Sequence, residues 1–247
     1  MNIIDIPQTP STNTLMAQMD SHTPLPHATI VRALVQTAGR GQRGNSWESE
    51  PGQNLTFSML LRPAGVDAAA QFFISEAVAL GVADTIAELL ADCPEAGEVA
   101  VKWPNDIYVA DRKICGILIE NTLTGRTIDR SIAGIGLNVN QQLFVSDAPN
   151  PVSLTQITGR RHELRPLLET IGAAIEANIA APPAQIHERY LARLWRREGI
   201  HPYTVADTGT RIMARIAGIE PTGRIILAHA DGTTAPYAFK EIIALLR

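Results

Sequence analysis

Residues 98–140 read "EVAVKWPNDIYVADRKICGILIENTLTGRTIDRSIAGIGLNVN". Four β-rich runs, "EVAVKW", "IYV", "ICGILIEN" and "TIDRSIAGIGLNVN", are separated by "PND", "ADRK" and "TLTGR", which carry tight-turn residues. They read as successive antiparallel strands. Just before them, "QFFISEAVALGVADTIAELLADC" repeats apolar residues at intervals of three and four, an amphipathic helix of about five or six turns suited to cover one face of a sheet. A helix followed by a row of strands points to an α+β fold rather than to alternating βαβ units.

Working outward, "NIIDI" reads as a strand, "PSTNTLMAQM" as a helix capped by Ser11 or Thr12, and "ATIVRALVQ" as a second strand. Helical patterns run from Leu164 to about Ala181 and from Ala184 to Arg197, broken by Pro182 and Pro183. The last ~48 residues give short strands punctuated by "EPTG" and "ADG", a small all-β module of SH3-like kind. The expected domains are 1–198 and 199–247, with the boundary near Gly199.

Bulk composition restricts the function. The 247 residues are 45% hydrophobic, and the net charge of −4 advertises no nucleic-acid binding, so any anion must be held by local cations. Cys93 and Cys115 lack CxxC spacing, which argues for a reducing compartment and packing roles, and the six histidines show no metal spacing. With no basic leader and no run of 18 apolar residues, a cytoplasmic chain without a membrane segment is expected.

Two clusters carry the chemistry. "QTAGRGQRGNSWESEPGQN", residues 36–54, satisfies G-x-G-x-x-G at Gly39, Gly41 and Gly44, yet Pro51 and Gly52 follow and no helix opens to receive a pyrophosphate. It reads as a strand–loop–strand connection whose glycines let the backbone approach a ligand while Arg40 and Arg43 supply positive charge. The second cluster is Lys102, Asn105, Asp106 and Lys113. Hairpin geometry puts their loops at opposite ends, with Lys113 carried inward and Pro104, Asn105 and Asp106 on the other rim. Taken singly, each cluster is also ordinary turn chemistry. Together, without G-x-S-x-G, a paired Cys and His motif or H-E-x-x-H, they favour stabilising charge on a phosphorylated or adenylated intermediate over covalent catalysis by the protein.

"STN" at 11–13, "GRGQRGNSW" at 39–47, "KWPND" at 102–106, "DRKICGILIE" at 111–120 and "GIGLNVN" at 134–140 occur in the order and spacing of biotin protein ligases, which the chain resembles over essentially its whole length. The resemblance implies a class II synthetase-like catalytic domain, a mixed or antiparallel sheet flanked by helices, with a small C-terminal SH3-like barrel. It implies that biotin and ATP, the latter with Mg2+, give biotinyl-5'-adenylate, whose acyl group passes to a lysine of a biotin carboxyl carrier domain. A monomer or weak homodimer is expected.

By the same resemblance Ser11, Thr12, Asn13 and Gln36 meet the ureido head, with Gly39, Arg40, Gly41, Gln42, Lys113 and Gly116 also around biotin. Arg40, Arg43, Trp47, Asn105, Lys113 and Asn138 fall to the adenylate; Lys113, Arg40 and Asp106 are the expected catalytic set. Two departures stand out. Gln42 occupies a position that is often arginine in the family, and Ser11 begins almost at once, so the helix-turn-helix of the repressor relatives, and with it a DNA-binding role, is not expected. The alternatives are a lipoate or octanoate protein ligase of similar fold, against which "KWPND" and "GRGQRG" argue, and a non-catalytic biotin sensor, against which Lys113 and Asp106 argue.

Overall fold

A computed structural model describes residues 1–41, 46–93, 96–145 and 150–245. The chain opens with β1 (Asn2–Thr9), α1 (Thr12–His22), β2 (Thr29–Gln36) and β3 (Leu55–Leu61), continues through α2 (Phe72–Leu89), and then lays down β4 (Val99–Lys102), β5 (Asp106–Val109), β6 (Arg112–Thr124) and β7 (Thr127–Leu137). These seven strands form one sheet in the order β1-β2-β3-β7-β6-β5-β4. Because α1 serves as the crossover, β1 and β2 run parallel; every other pair is antiparallel, giving a mixed sheet.

Alternation along the central strands divides the sheet into two unlike faces. Leu55, Phe57, Met59 and Leu61 of β3 and Ala133, Ile135 and Leu137 of β7 join the main core with α2. That core also takes in α4 (Leu164–Ala180) and α5 (Pro183–Ala192), which follow the short α3 (Leu154–Thr158). On the opposite face, among the described residues, α1 is the helix that packs, through Met16 against Val31, Leu60 and Ile132, and beyond its N-terminus the β6–β7 end is left open. Ser11 caps α1, its hydroxyl accepting from the Thr14 N–H.

Helix α5 is shorter than the sequence pattern predicts, ending at Ala192 instead of Arg197. The Val101 N–H donates to Arg193 O at 2.8 Å and the Trp195 N–H to Val101 O at 2.9 Å, so a turn at residues 193–195 bridges the outer edge of β4 through Leu194. Satisfying the edge strand's backbone groups outweighs local helix propensity there.

A second, five-stranded antiparallel sheet comprises β8 (His201–Val205), β9 (Arg211–Ile219), β10 (Ile225–His229), β11 (Thr234–Tyr237) and β12 (Ile242–Ala244), in the order β11-β10-β9-β8-β12. It meets the first sheet where Trp103 Nε1 donates to Gly223 O at 2.9 Å and the Trp103 ring packs edge-on against Phe239. Among the described residues, no helix is long and apolar enough to cross a membrane.

One ion cluster pins α1. Asp20, buried, accepts from Arg62 at 2.6 Å, from Arg130 at 2.5 Å and from the Leu25 N–H at 2.8 Å. Burial alone would raise its pKa, but the Leu25 and Arg130 hydrogen bonds and the two guanidinium charges outweigh burial and hold it below the ordinary aspartate value. A carboxylate depressed on folding adds stability above its unfolded pKa of about 3.9, and that contribution is lost as pH falls through the folded value. Asp20→Asn should therefore lower unfolding free energy at pH 7 by about 1–3 kcal/mol. Urea denaturation should show the gap to wild type closing in acid below the usual aspartate range.

Candidate active site

The part of the sheet at and beyond the N-terminus of α1 is built on glycine. In the β6–β7 register Gly116 lies opposite Gly136, and Gly134 lies between Leu118 of β6 and Ser58 of β3. With no side chain at these positions, other groups come down onto the backbone. A Cβ on Gly134 would overlap the Asn13 amide, one on Gly136 would overlap the Trp47 indole, and one on Gly116 would sit 2.8 Å from Trp47 Cζ3.

Above this floor lies a cavity of about 790 Å³, within the usual range for small-molecule sites, roughly 300–1,000 Å³. Its walls come from the loop after β2, the "KWPND" turn, β6 and β7, and the second sheet. Ser11, Thr12, Asn13, Gln36, Arg40, Gly41, Trp47, Asp106, Lys113, Gly116 and Asn138 all line it. Gly39 stands just behind, pairing its carbonyl with the Trp47 N–H at 2.9 Å. Asn105, 3% exposed, is not part of the wall. Gln42 and Arg43 lie outside the described residues.

One end of the cavity is a neutral hydrogen-bonding cluster. Gln36 Oε1 accepts from the Thr12 N–H at 2.9 Å and the Thr12 hydroxyl at 3.2 Å, which leaves Gln36 Nε2 as a donor without a partner among the described residues. Ser58 Oγ donates to Asn13 Oδ1 at 2.6 Å and lies 2.7 Å from Thr12 Oγ1. The Asn13 amide hydrogens go to Glu120 Oε2 at 2.7 Å and Leu118 O at 3.3 Å, so toward a ligand Asn13 offers its second oxygen lone pair. Arg40 sits at this end too, donating to Thr14 Oγ1 at 3.1 Å with Glu120 3.6 Å away.

The other end is charged. Lys113 Nζ donates to Asp106 Oδ2 at 2.6 Å, so the two residues expected on opposite rims are in contact. The reason is a bulge: Tyr108 pairs with Lys113 but Ile107 pairs with Cys115, leaving Ile114 as an extra residue in β6. Ile114 and Cys115 both bury in the core, and Lys113 is released to the cavity side, one short strand from Asp106. Burial raises the Cys115 thiol well above its ordinary value, in keeping with a packing role. Nearby, Lys102 Nζ donates to Tyr108 Oη at 3.2 Å and lies 5.0 Å and 5.7 Å from the Tyr108 and Trp195 ring centroids. Two polar atoms of wall residues, Trp47 Nε1 and Asn138 Oδ1, are buried without a partner among the described residues.

Several residues of the site escape motif reading. Gly134 and Gly136 line the cavity and Ser58 and Glu120 hold Asn13 from behind it, all through register and contact, although the alternating glycines of "GIG" in an otherwise Ile- and Leu-rich strand are a visible sign. Composition holds another. The chain has three lysines, at 102, 113 and 240, among 21 basic residues, and all three line the cavity, whereas Arg40 is the sole arginine among the described residues to do so.

This seven-stranded mixed sheet, completed by a small second sheet, is similar in fold to the biotin protein ligase of Aquifex aeolicus in complex with biotin and ATP: TM-score 0.76, 22% identity, 98% of this chain and 97% of that one. The chain belongs to the biotin/lipoate A/B protein ligase family, whose pattern matches residues 6–138. It is 33% identical over 212 residues to the biotin–[acetyl-CoA-carboxylase] ligase of Paracoccus denitrificans, covering 82% of this chain and 85% of that protein. It is also 35% identical over 173 residues to the bifunctional ligase/repressor BirA of Salmonella typhimurium, covering 69% of this chain and 48% of that one. The chain thus spans about half the length of its BirA relatives.

Since the Trp47 ring rests on Gly136, Gly136→Ala should displace the indole, shift tryptophan emission and weaken ligand binding about tenfold or more, whereas an unobstructed strand glycine would gain roughly 0.5–1 kcal/mol on becoming alanine. Fluorescence and calorimetric titration with biotin provide the check.

Proposed function

We propose that the chain is an ATP-dependent biotin–protein ligase, which joins biotin to ATP as biotinyl-5'-adenylate and transfers the acyl group to a lysine of a biotin carboxyl carrier domain. The observation that carries this is the polarity of the cleft: the Thr12, Asn13 and Gln36 hydrogen-bonding cluster at one end of a glycine floor, and the Lys113–Asp106 pair at the other. The biotin ligase names and the biotin and ATP complexes among the relatives support it. Mg2+ enters with ATP as its counterion.

In the first step the biotin carboxylate attacks the α-phosphorus and pyrophosphate leaves. Both reactants are anionic and must approach to about 3–3.5 Å, so without a cation between them repulsion keeps them apart. Lys113 supplies that cation on a flexible stem able to follow the charge as it moves. At the neutral end, Gln36 Nε2 donates to the ureido oxygen, and Asn13 Oδ1 accepts from a ureido N–H, inside walls that exclude competing water. The unpartnered Asn138 Oδ1 takes a hydrogen from the ribose or adenine, and Trp47 covers the nucleotide. Arg40 leaves Glu120 for the phosphate, a charge-assisted bond contributing about 1.5–3 kcal/mol. Gly41 and Gly116, bare of side chains, give the ligand backbone to lie against, with Gly39 bracing Trp47 behind them; Gln42 and Arg43 complete the loop's part in this reading, and Asn105 orients the turn beside the nucleotide.

In the second step the acceptor amine attacks the acyl carbon and AMP departs. The amine is a nucleophile only when neutral, with an unperturbed pKa of about 10.4. Asp106, once its Lys113 partner turns to the phosphate, takes the amine's proton. Residues 1–198 supply this chemistry, and 199–247 form the second domain that closes one wall of the cleft.

The two half-reactions separate the roles. With biotin, Mg-ATP and a carrier domain, mass spectrometry should find one biotinyl group on one carrier lysine; acceptance of lipoate in its place would refute the reading. Lys113→Ala should slow biotin-dependent pyrophosphate exchange by about 10- to 100-fold, the loss expected for one charge-assisted contact. Asp106→Asn should slow transfer from supplied biotinyl-adenylate at neutral pH and recover in part as pH rises. Transfer by that variant at the wild-type rate would remove Asp106 as the base.

A further inference from the structure

A cleft that makes an acyl-adenylate holds a carbonyl carbon activated toward amines. Arginine stays protonated and is inert to it, whereas lysine becomes nucleophilic on losing a proton. The three lysines of this chain all face that cleft, and they are unlike one another. Lys113 is held by the Asp106 carboxylate at 2.6 Å. Lys240 lies between β11 and β12 in the second sheet. Lys102, at the end of β4, has no carboxylate within 4.0 Å among the described residues; a phenol oxygen and two aromatic rings surround its nitrogen.

We propose that Lys102 is a self-acylation site: when no acceptor domain arrives, its amine takes the biotinyl group from the adenylate in the same cleft. This rests on the function proposed above. The neutral Nζ attacks the acyl carbon, an N–C bond forms, the C–O bond to phosphate breaks with its electron pair leaving on AMP, and the surplus ammonium proton passes to water. Burial lowers the Lys102 pKa from the ordinary lysine value, and the neighbouring Asp106 only partly offsets that while Lys113 and Arg196 add to it, so the neutral amine is more accessible here than on an ordinary surface lysine.

The full chain is incubated with preformed biotinyl-5'-adenylate, and in parallel with biotin and Mg-ATP, without carrier, then digested and sequenced by mass spectrometry. A urea-unfolded sample receives the same adenylate. The folded chain should carry biotin on Lys102 at least tenfold above Lys113 and Lys240, the unfolded chain should show no such preference, and Lys102→Arg should abolish the labelled peptide. An unlabelled Lys102 in the preformed-adenylate arm, or equal labelling of all three lysines in the folded chain, overturns the proposal. Pyrophosphate release in the biotin and Mg-ATP arm reports separately on the ligase reading, so loss of one is distinguishable from loss of the other.

Discussion

Everything at the cleft depends on three places in β6 and β7 where a side chain is missing. The Gly116–Gly136 cross-strand pair and Gly134 beside it bring other groups onto bare backbone that would elsewhere in a sheet be covered. Glycine in a strand interior sacrifices packing and adds unfolded-state entropy, roughly 0.5–1 kcal/mol each relative to alanine. The main core under α2 carries that cost. It is continuous across the reverse face of the same strands, through Ala133, Ile135 and Leu137, so the glycine-bearing stretch of the front face is relieved of that packing while Ile132 meets α1 there.

From that floor follows the distribution of charge. The neutral cluster at Thr12, Asn13 and Gln36 is tied down by Ser58 and Glu120, so its side chains present fixed lone pairs and hydrogens rather than searching for them. Preorganisation of this sort is what lets a small polar head group be recognised without a large binding area. At the opposite end a single bulge in β6 does the comparable work for Lys113. In a regular strand Lys113, two residues before Cys115, would share its core side; the bulge at Ile114 breaks that alternation.

The sequence shows the α+β class, the strand run of residues 98–140 and most cleft residues, because each rests on local pattern: turn residues between Val- and Ile-rich runs, a three-and-four helical period, glycines beside arginines. What it hides is set by contacts between distant segments. The end of α5 is decided by Val101, more than ninety positions away, whose backbone captures residues 193 and 195. The Lys113–Asp106 contact depends on a bulge that no propensity encodes, and Ser58 reads as an ordinary strand residue until Asn13 is placed above it. Asn105 looks like part of the nucleotide wall by its motif, yet the turn buries it.

The central claim is that one glycine-floored cleft holds both halves of the adenylate in a fixed direction. A crystal structure with biotin and a non-hydrolysable ATP analogue tests it most directly. The account predicts the bicyclic ring against Thr12, Asn13 and Gln36, its carboxylate and the α-phosphorus about 3–3.5 Å apart beside Lys113 Nζ, and the indole of Trp47 over the nucleotide. A ring seated at the Lys113 end, or a nucleotide bound outside the cleft, would contradict it.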